Sequence, residues 1–366
     1  MSKSDKTRRE AIKTFGAAAA ATVLSGTRFS RAADPGTVTC CVYGGKAVET
    51  MRTAIFEPFT KKTGIKVIEV TGPTAARAAA MVASGNIEWD IIAPDEADAI
   101  VLNERKMLET IDYSRIDKAQ MAEFDASTIR PYAFPFTTFG YLIGWNTKKY
   151  SKDSAPKTWA DIWDTKNFPG TRVMTSGTFS LPPIEPAVLA DGVPIDKLYP
   201  LDLERAYRML QKLKPHVAKW TTSAGMAGQA LVSGEADLGM IPHGTGVTLM
   251  EDGAPLAYDF NQGLYVRESW CILKGSKNYD NAMKFIDFAT KAEQQAAWAK
   301  LIPFGPTNKR AITLLTDERA RKLINYPEYL PKMVAVNEDW WKQKDARTGK
   351  TNVERNLDMW NVFSRS

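Results

Sequence analysis

The chain has 366 residues, 44% of them apolar and 25% charged, which is the make-up of a folded protein with room for about two hydrophobic cores and excludes disordered or collagen-like classes. Its formal charge is +6, but residues 1–32 hold seven Lys and Arg against two acids, so the rest of the chain stands at +1 and offers nucleic acid no basic surface. Three cysteines and two histidines, none at metal-type spacing, exclude a disulfide scaffold and give no reason to expect a metal or other cofactor.

The N-terminus reads as an address. Thr7-Arg8-Arg9-Glu10-Ala11-Ile12-Lys13 precedes a mildly apolar run at 15–25 and then Ser30-Arg31-Ala32-Ala33, with small residues at signal-peptidase spacing. This resembles a twin-arginine export signal spanning 1–32. Cleavage near Ala32 or Ala33 by the export pathway predicts a periplasmic mature protein that has met the twin-arginine export machinery. The run is too short and too rich in alanine to stay as a membrane helix. Two readings stand for the cysteines in that oxidising compartment: buried free thiols, or a bridge from Cys40 or Cys41 to Cys271.

From residue 37 strand and helix patterns alternate: strand 38–43, helix 48–62, strand 65–70, helix 74–83 and strand 91–94. The alternation predicts an α/β fold with a mostly parallel sheet. Met51, Ile55 and Phe59 share one helix face, and Gly64 after Lys61-Lys62-Thr63 is a helix stop. The strands end in Tyr43-Gly44-Gly45, Thr71-Gly72-Pro73-Thr74 and Pro94-Asp95-Glu96. Sheets of this kind bind ligands at such ends.

An aromatic-rich extended run at 134–150 then crosses to a second unit, with Thr158 as the N-cap of a short helix. That unit has a strand at 172–174, a loop at 175–183, helices from Ile184 and Asp202, and a helix capped by Thr222 or Ser223. A strand at 236–241 leads into the loop Pro242-His243-Gly244-Thr245. Residues 264–273 cross back, 279–300 form an amphipathic helix, and the tail past 317 is helical. Two α/β lobes, 33–140 with 270–316 and 141–269, are joined by two extended hinge crossings, with 317–366 packed on them.

A groove between two such lobes is the expected ligand site. Tyr43, Gly44, Gly45 and Asp95 form its first wall, and Thr178 and Thr222 supply hydroxyls from the second, unless they only cap helices. His243 is a loop donor, and Tyr43, Phe139 and Trp270 pack on the ligand or within a core. On the returning strand Arg267 and Glu268 are adjacent, so alternation lets only one face the groove. Glu268 favours an amine, and Arg267 a carboxylate. An enzyme lacks its constellation, since there is no Gly-x-Ser-x-Gly elbow, His-Glu-x-x-His helix or paired-carboxylate motif.

Several stretches carry a resemblance: Phe59-Thr60-Lys61-Lys62-Thr63-Gly64-Ile65, Trp89-Asp90-Ile91-Ile92-Ala93-Pro94, Gly144-Trp145-Asn146-Thr147, Thr158-Trp159-Ala160-Asp161-Ile162-Trp163-Asp164, Gly234-Glu235-Ala236-Asp237-Leu238-Gly239 and Pro303-Phe304-Gly305-Pro306-Thr307-Asn308. Together they resemble, in order along the whole mature chain, the periplasmic solute-binding components of ABC importers of the spermidine/putrescine type. The resemblance implies a monomer that captures a small-molecule ligand by hinge closure and hands it to an inner-membrane ABC permease. It places Glu268 where polyamine-binding members carry a carboxylate. It also shows Gly44-Gly45, Pro242-His243-Gly244 and Val266 where those members carry aromatics around the ligand.

Overall fold

Apolar alternation builds the sheet. In β1 (Thr37–Val42) Val38, Cys40 and Val42 face one core and Cys41 the other. The computed structural model describes residues 36–178 and 181–366, and the export signal with its cleavage site lies outside them. β1 pairs in parallel with β2 (Lys66–Thr71) and with β3 (Ile91–Ile92). The helical stretch between β1 and β2 forms as Lys46–Met51, a π-turn at Arg52–Phe56 and a helix at Glu57–Thr63. Pro58 explains the interruption, because it has no N–H to give the carbonyl four residues back and the ladder widens before it. Met51, Ile55 and Phe59 are buried as their spacing requires, and Gly64 closes the helix at φ 76° with its N–H on Thr60 O.

Two long strands join the halves. β4 (Phe134–Asn146) and β8 (Leu256–Ile272) run antiparallel to each other. β8 borders β3 on one side, and β4 borders β7 (Leu238–Pro242) on the other, beyond which lie β5 (Arg172–Thr175) and β6 (Val217–Thr221). The two expected sheets therefore fuse into one mixed sheet of order β2-β1-β3-β8-β4-β7-β5-β6, parallel in its wings and antiparallel at its centre. The short strands β9 (Gly305–Pro306) and β10 (Val334–Ala335) pair with β4 and β8.

The return strand begins eight residues before the expected start at 264, because a bulge breaks its period. Tyr141 registers with Leu264 but Ile143 with Asp259, and Gln262 takes a left-handed φ of 57°. That conformation is held by tertiary bonds, with Trp159 N donating to Gln262 Oε1 and Trp159 Nε1 to Gln262 O, both at 2.8 Å. The amphipathic helix at 279–300 likewise splits into Tyr279–Ala289 and Ala292–Leu301. At the break Thr290 is held by Gln120 through its hydroxyl and by Asn308 through its carbonyl.

Four large clusters of buried side chains flank the sheet, two on the β1–β3 side and two on the β5–β7 side, giving the two lobes. The tail contributes Trp340, Trp341, Trp360 and Phe363 to the second lobe's core. None of the helices among the described residues is long and apolar enough to cross a membrane.

All three cysteines are free and buried. Cys41 registers with Ile92, and Ile92 with Cys271, so β3 stands between the two thiols. Two strand spacings, roughly 10 Å, exceed disulfide reach. Burial also pushes the Cys41 thiol up to about 12 and raises Cys40 and Cys271. In a thiol titration with Ellman's reagent the native protein should show no fast-reacting cysteine and the denatured protein all three; a fast native thiol would contradict this packing.

Candidate functional site

The strand ends of the first lobe converge on β8. After β1 the chain passes Tyr43 and Gly44 to Gly45, whose φ of 66° turns it into the next helix; Tyr43 and both glycines are exposed. After β3, Asp95 caps the helix Glu96–Glu104 by accepting Asp98 N at 2.9 Å, and its backbone bridges to Glu268 of β8. Asp95 and Glu268 thus lie side by side under Tyr43. Burial first, then the neighbouring carboxylates, pushes Asp95 up to about 6 and holds Glu268 well above the ordinary range.

The two guanidiniums nearby are engaged elsewhere, while Lys342 acts on Asp95 from the tail. Arg267 Nη2 bonds Glu96 Oε2 at 2.8 Å, and Arg130 Nη2 bonds Glu96 Oε1 at 2.8 Å and Asp339 Oδ2 at 3.1 Å. Alternation on β8 therefore separates Arg267 from Glu268 as expected, with Arg267 in an internal pair and Glu268 beside Asp95.

Next to these acids is a cleft of about 220 Å³. Ala97 and Asp98 line it from the first lobe, Gly177, Thr178, Leu181 and Pro182 from the second, and Val266 from β8. Val336, Glu338, Trp341, Lys342, Val353, Asn356 and Leu357 line it from the tail. Thr178 is exposed, its Oγ1 2.8 Å from Ser176 Oγ. The Gly177 turn rests on the tail so closely that a Cβ there would lie 2.5 Å from the Trp360 ring, and Gly177 O accepts Asn356 Nδ2 at 2.8 Å.

Two expected ligand groups lie elsewhere. Trp270 is fully buried in the first lobe's core, stacked on Phe136 at 4.1 Å and edge-on to Phe285, so its packing role is in the core and not on a ligand. His243 is not in a loop: it begins the helix His243–Glu251, is fully buried, and donates Nε2–H to Lys322 O at 2.8 Å. Burial depresses it to about 4. The glycines that read as loop serve close packing, since a Cβ on Gly244 would lie 2.8 Å from the Phe304 ring. Thr222 is exposed beyond β6, and Ser223 is the N-cap of Ala224–Ser233 without a side-chain cap bond. Phe139 packs against the second lobe's core.

The tail's contribution was not found in the sequence. Its only signal is Asn337-Glu338-Asp339-Trp340-Trp341, an acid pair against a tryptophan pair. Glu338 is 7% exposed, its Oε2 has no hydrogen-bond partner, and burial followed by Asp95 and Glu96 keeps it well above the ordinary range against the pull of Arg267 and Lys342. No group of His, Cys, Asp and Glu that could hold a metal ion occurs among the described residues.

Acids raised in the folded state hold protons that the unfolded chain releases, so their stabilisation is complete below about pH 4 and is lost as pH rises through their folded values. In urea melts without ligand at pH 5 and pH 7.5, Asp95→Asn, which keeps a capping oxygen, should reduce the loss of stability between the two pH values by up to about 1 kcal/mol, allowing for solvent screening of a half-buried group. An unchanged loss would show that Asp95 does not carry this proton.

A family model described as bacterial extracellular solute-binding protein matches residues 54–328. The gamma-aminobutyric acid-binding protein of Pseudomonas aeruginosa is 28% identical over 311 residues, covering 83% of this chain and 86% of that one. The spermidine/putrescine-binding periplasmic protein of Escherichia coli is 26% identical over 290 residues, covering 76% and 81%. The crystal structure of an ABC transporter substrate-binding protein from Bradyrhizobium japonicum aligns with a TM-score of 0.82 at 31% identity, over 90% of this chain and 99% of that one.

Proposed function

The chain belongs to the bacterial extracellular solute-binding proteins and is the solute-binding component of an ABC importer, and on that premise we propose that its solute carries a protonated amine. One observation carries this reading: Asp95 and Glu268 adjoin with neither in an ion pair among the described residues, while both nearby guanidiniums are held by Glu96. An ammonium group supplies the missing counter-charge and donates hydrogen bonds to both carboxylates, and the Tyr43 ring can take its face. Thr178 lies across the cleft, and Gly44 and Gly45 leave the first wall open to a ligand.

The mature protein works in the periplasm, exported through the twin-arginine machinery as a monomer. Residues 33–140 with 270–316 close on residues 141–269 around the solute, and the closed form docks on the permease. It binds without turnover. A second reading, an amino-acid-type solute with its carboxylate on Arg267, is supported by the relative named for gamma-aminobutyric acid and by the partial exposure of the Arg267 side chain. The polyamine reading is supported by the Escherichia coli relative.

A melting-shift screen of amino acids, polyamines and dicarboxylates should find an amine that raises Tm saturably and is recovered unchanged. Glu268→Ala should fold and bind that amine about 10- to 100-fold more weakly, the cost of a charge-assisted bond of roughly 1.5–3 kcal/mol. Equal shifts in wild type and variant would remove Glu268 from the site.

A further inference from the structure

We infer that the C-terminal segment selects the solute, with Glu338 anchoring its ammonium group and Lys342 its carboxylate, so that the preferred ligand class is a short ω-amino acid over a diamine. This rests on the reading of the cleft as an amine site and deepens it.

The family match ends at residue 328, yet seven of the fourteen residues lining the cleft lie between 336 and 357. The tail thus adds a wall outside the matched region. Its position is fixed from both sides. Trp341 Nε1 donates to Glu185 Oε1 at 2.8 Å and Asn337 N to Tyr199 Oη at 3.0 Å on the second lobe, while Arg130 holds Asp339 on the first. Between these anchors Glu338 is carried into the cleft at 7% exposure, with Oε2 buried and unpartnered.

A buried carboxyl without a bonded partner is costly, and Arg267 and Lys342 pull on Glu338 without bonding its Oε2. Asp95, Glu96 and Asp98 of the opposing segment are acids, and Arg267 is held by Glu96. Glu185, the tail's other buried acid contact, also leaves its Oε2 unpartnered, but its Oε1 accepts from both Tyr199 and Trp341. A ligand ammonium is therefore the donor that Glu338 Oε2 lacks. The cleft also carries Lys342 and Asn356, donors that suit a carboxylate, and Val266, Val336, Trp341 and Val353 to cover a short methylene chain. A diamine would bring its second ammonium against Lys342.

Isothermal titration of the mature protein with 4-aminobutyrate, putrescine and succinate tests this. Wild type should prefer 4-aminobutyrate to putrescine by at least about tenfold. Glu338→Gln, nearly isosteric and relieved of a buried acid, should melt at or above the wild-type temperature and bind 4-aminobutyrate at least about tenfold more weakly. Lys342→Gln should erase the preference over putrescine. Should the Gln variant melt low, wild-type titrations in buffers of different ionisation enthalpy supply a second measure, since seating an ammonium on Glu338 releases its proton. If Glu338→Gln keeps wild-type affinity while Glu268→Ala loses it, the tail does not select the solute and the amine reading stands. If wild type binds neither amine, the amine reading falls and this inference with it.

Discussion

Glu96 is the acid on which the cleft's charge depends. By accepting from Arg130 and Arg267 at once, it removes both guanidiniums from the reach of Asp95, Glu268 and Glu338. Substitution of Glu96 would leave Arg267 without its carboxylate beside the neighbouring acids, while Arg130 would keep Asp339. The pairing is well placed to resist that, because Glu96 is itself buried in the first turn of its helix, where the dipole favours a negative charge.

The geometry around Glu96 comes from the two long strands. Antiparallel pairing of β4 with β8 fixes Thr137 opposite Glu268 and Thr138 opposite Arg267, so the residue facing the acids and the residue facing Glu96 are set by register and cannot exchange. An extra residue in β4 between Pro135 and Thr137 keeps Phe136 and Trp270 stacked in the core beside this register.

Much of the first lobe was legible in the sequence because its signals are local. Alternation and the Gly64 stop appear where residue chemistry places them, and so does the Thr158 cap in the second lobe. Sheet topology brings the Asp95 strand end to Glu268 at one rim. The errors have a common cause. Trp270 and His243 were read from local context, an aromatic in a crossing strand and a histidine between glycines, whereas tertiary packing decides both: the first stacks in a core, and the second sits in a helix whose glycines allow close contact with Phe304. The bulge at Gln262 and the helix break at Thr290 are likewise set by partners far away in sequence, Trp159 and Asn308. Glu338 was invisible for the same reason, since nothing near it in sequence says that its helix packs across from Asp98.

The two moorings of the tail differ in kind. Its bond to Glu185 is buried, whereas Asp339 and Arg130 meet at the rim with their side chains 59% and 32% exposed. Water and salt reach the second mooring far more readily than the first. The segment therefore belongs mechanically to the second lobe and is only clasped to the first, as a strap sewn at one end and buttoned at the other. On the reading proposed above, parting of the lobes would carry Glu338 away from Asp95, and the acids proposed to hold the cation would be dispersed by the same motion that opens the way out.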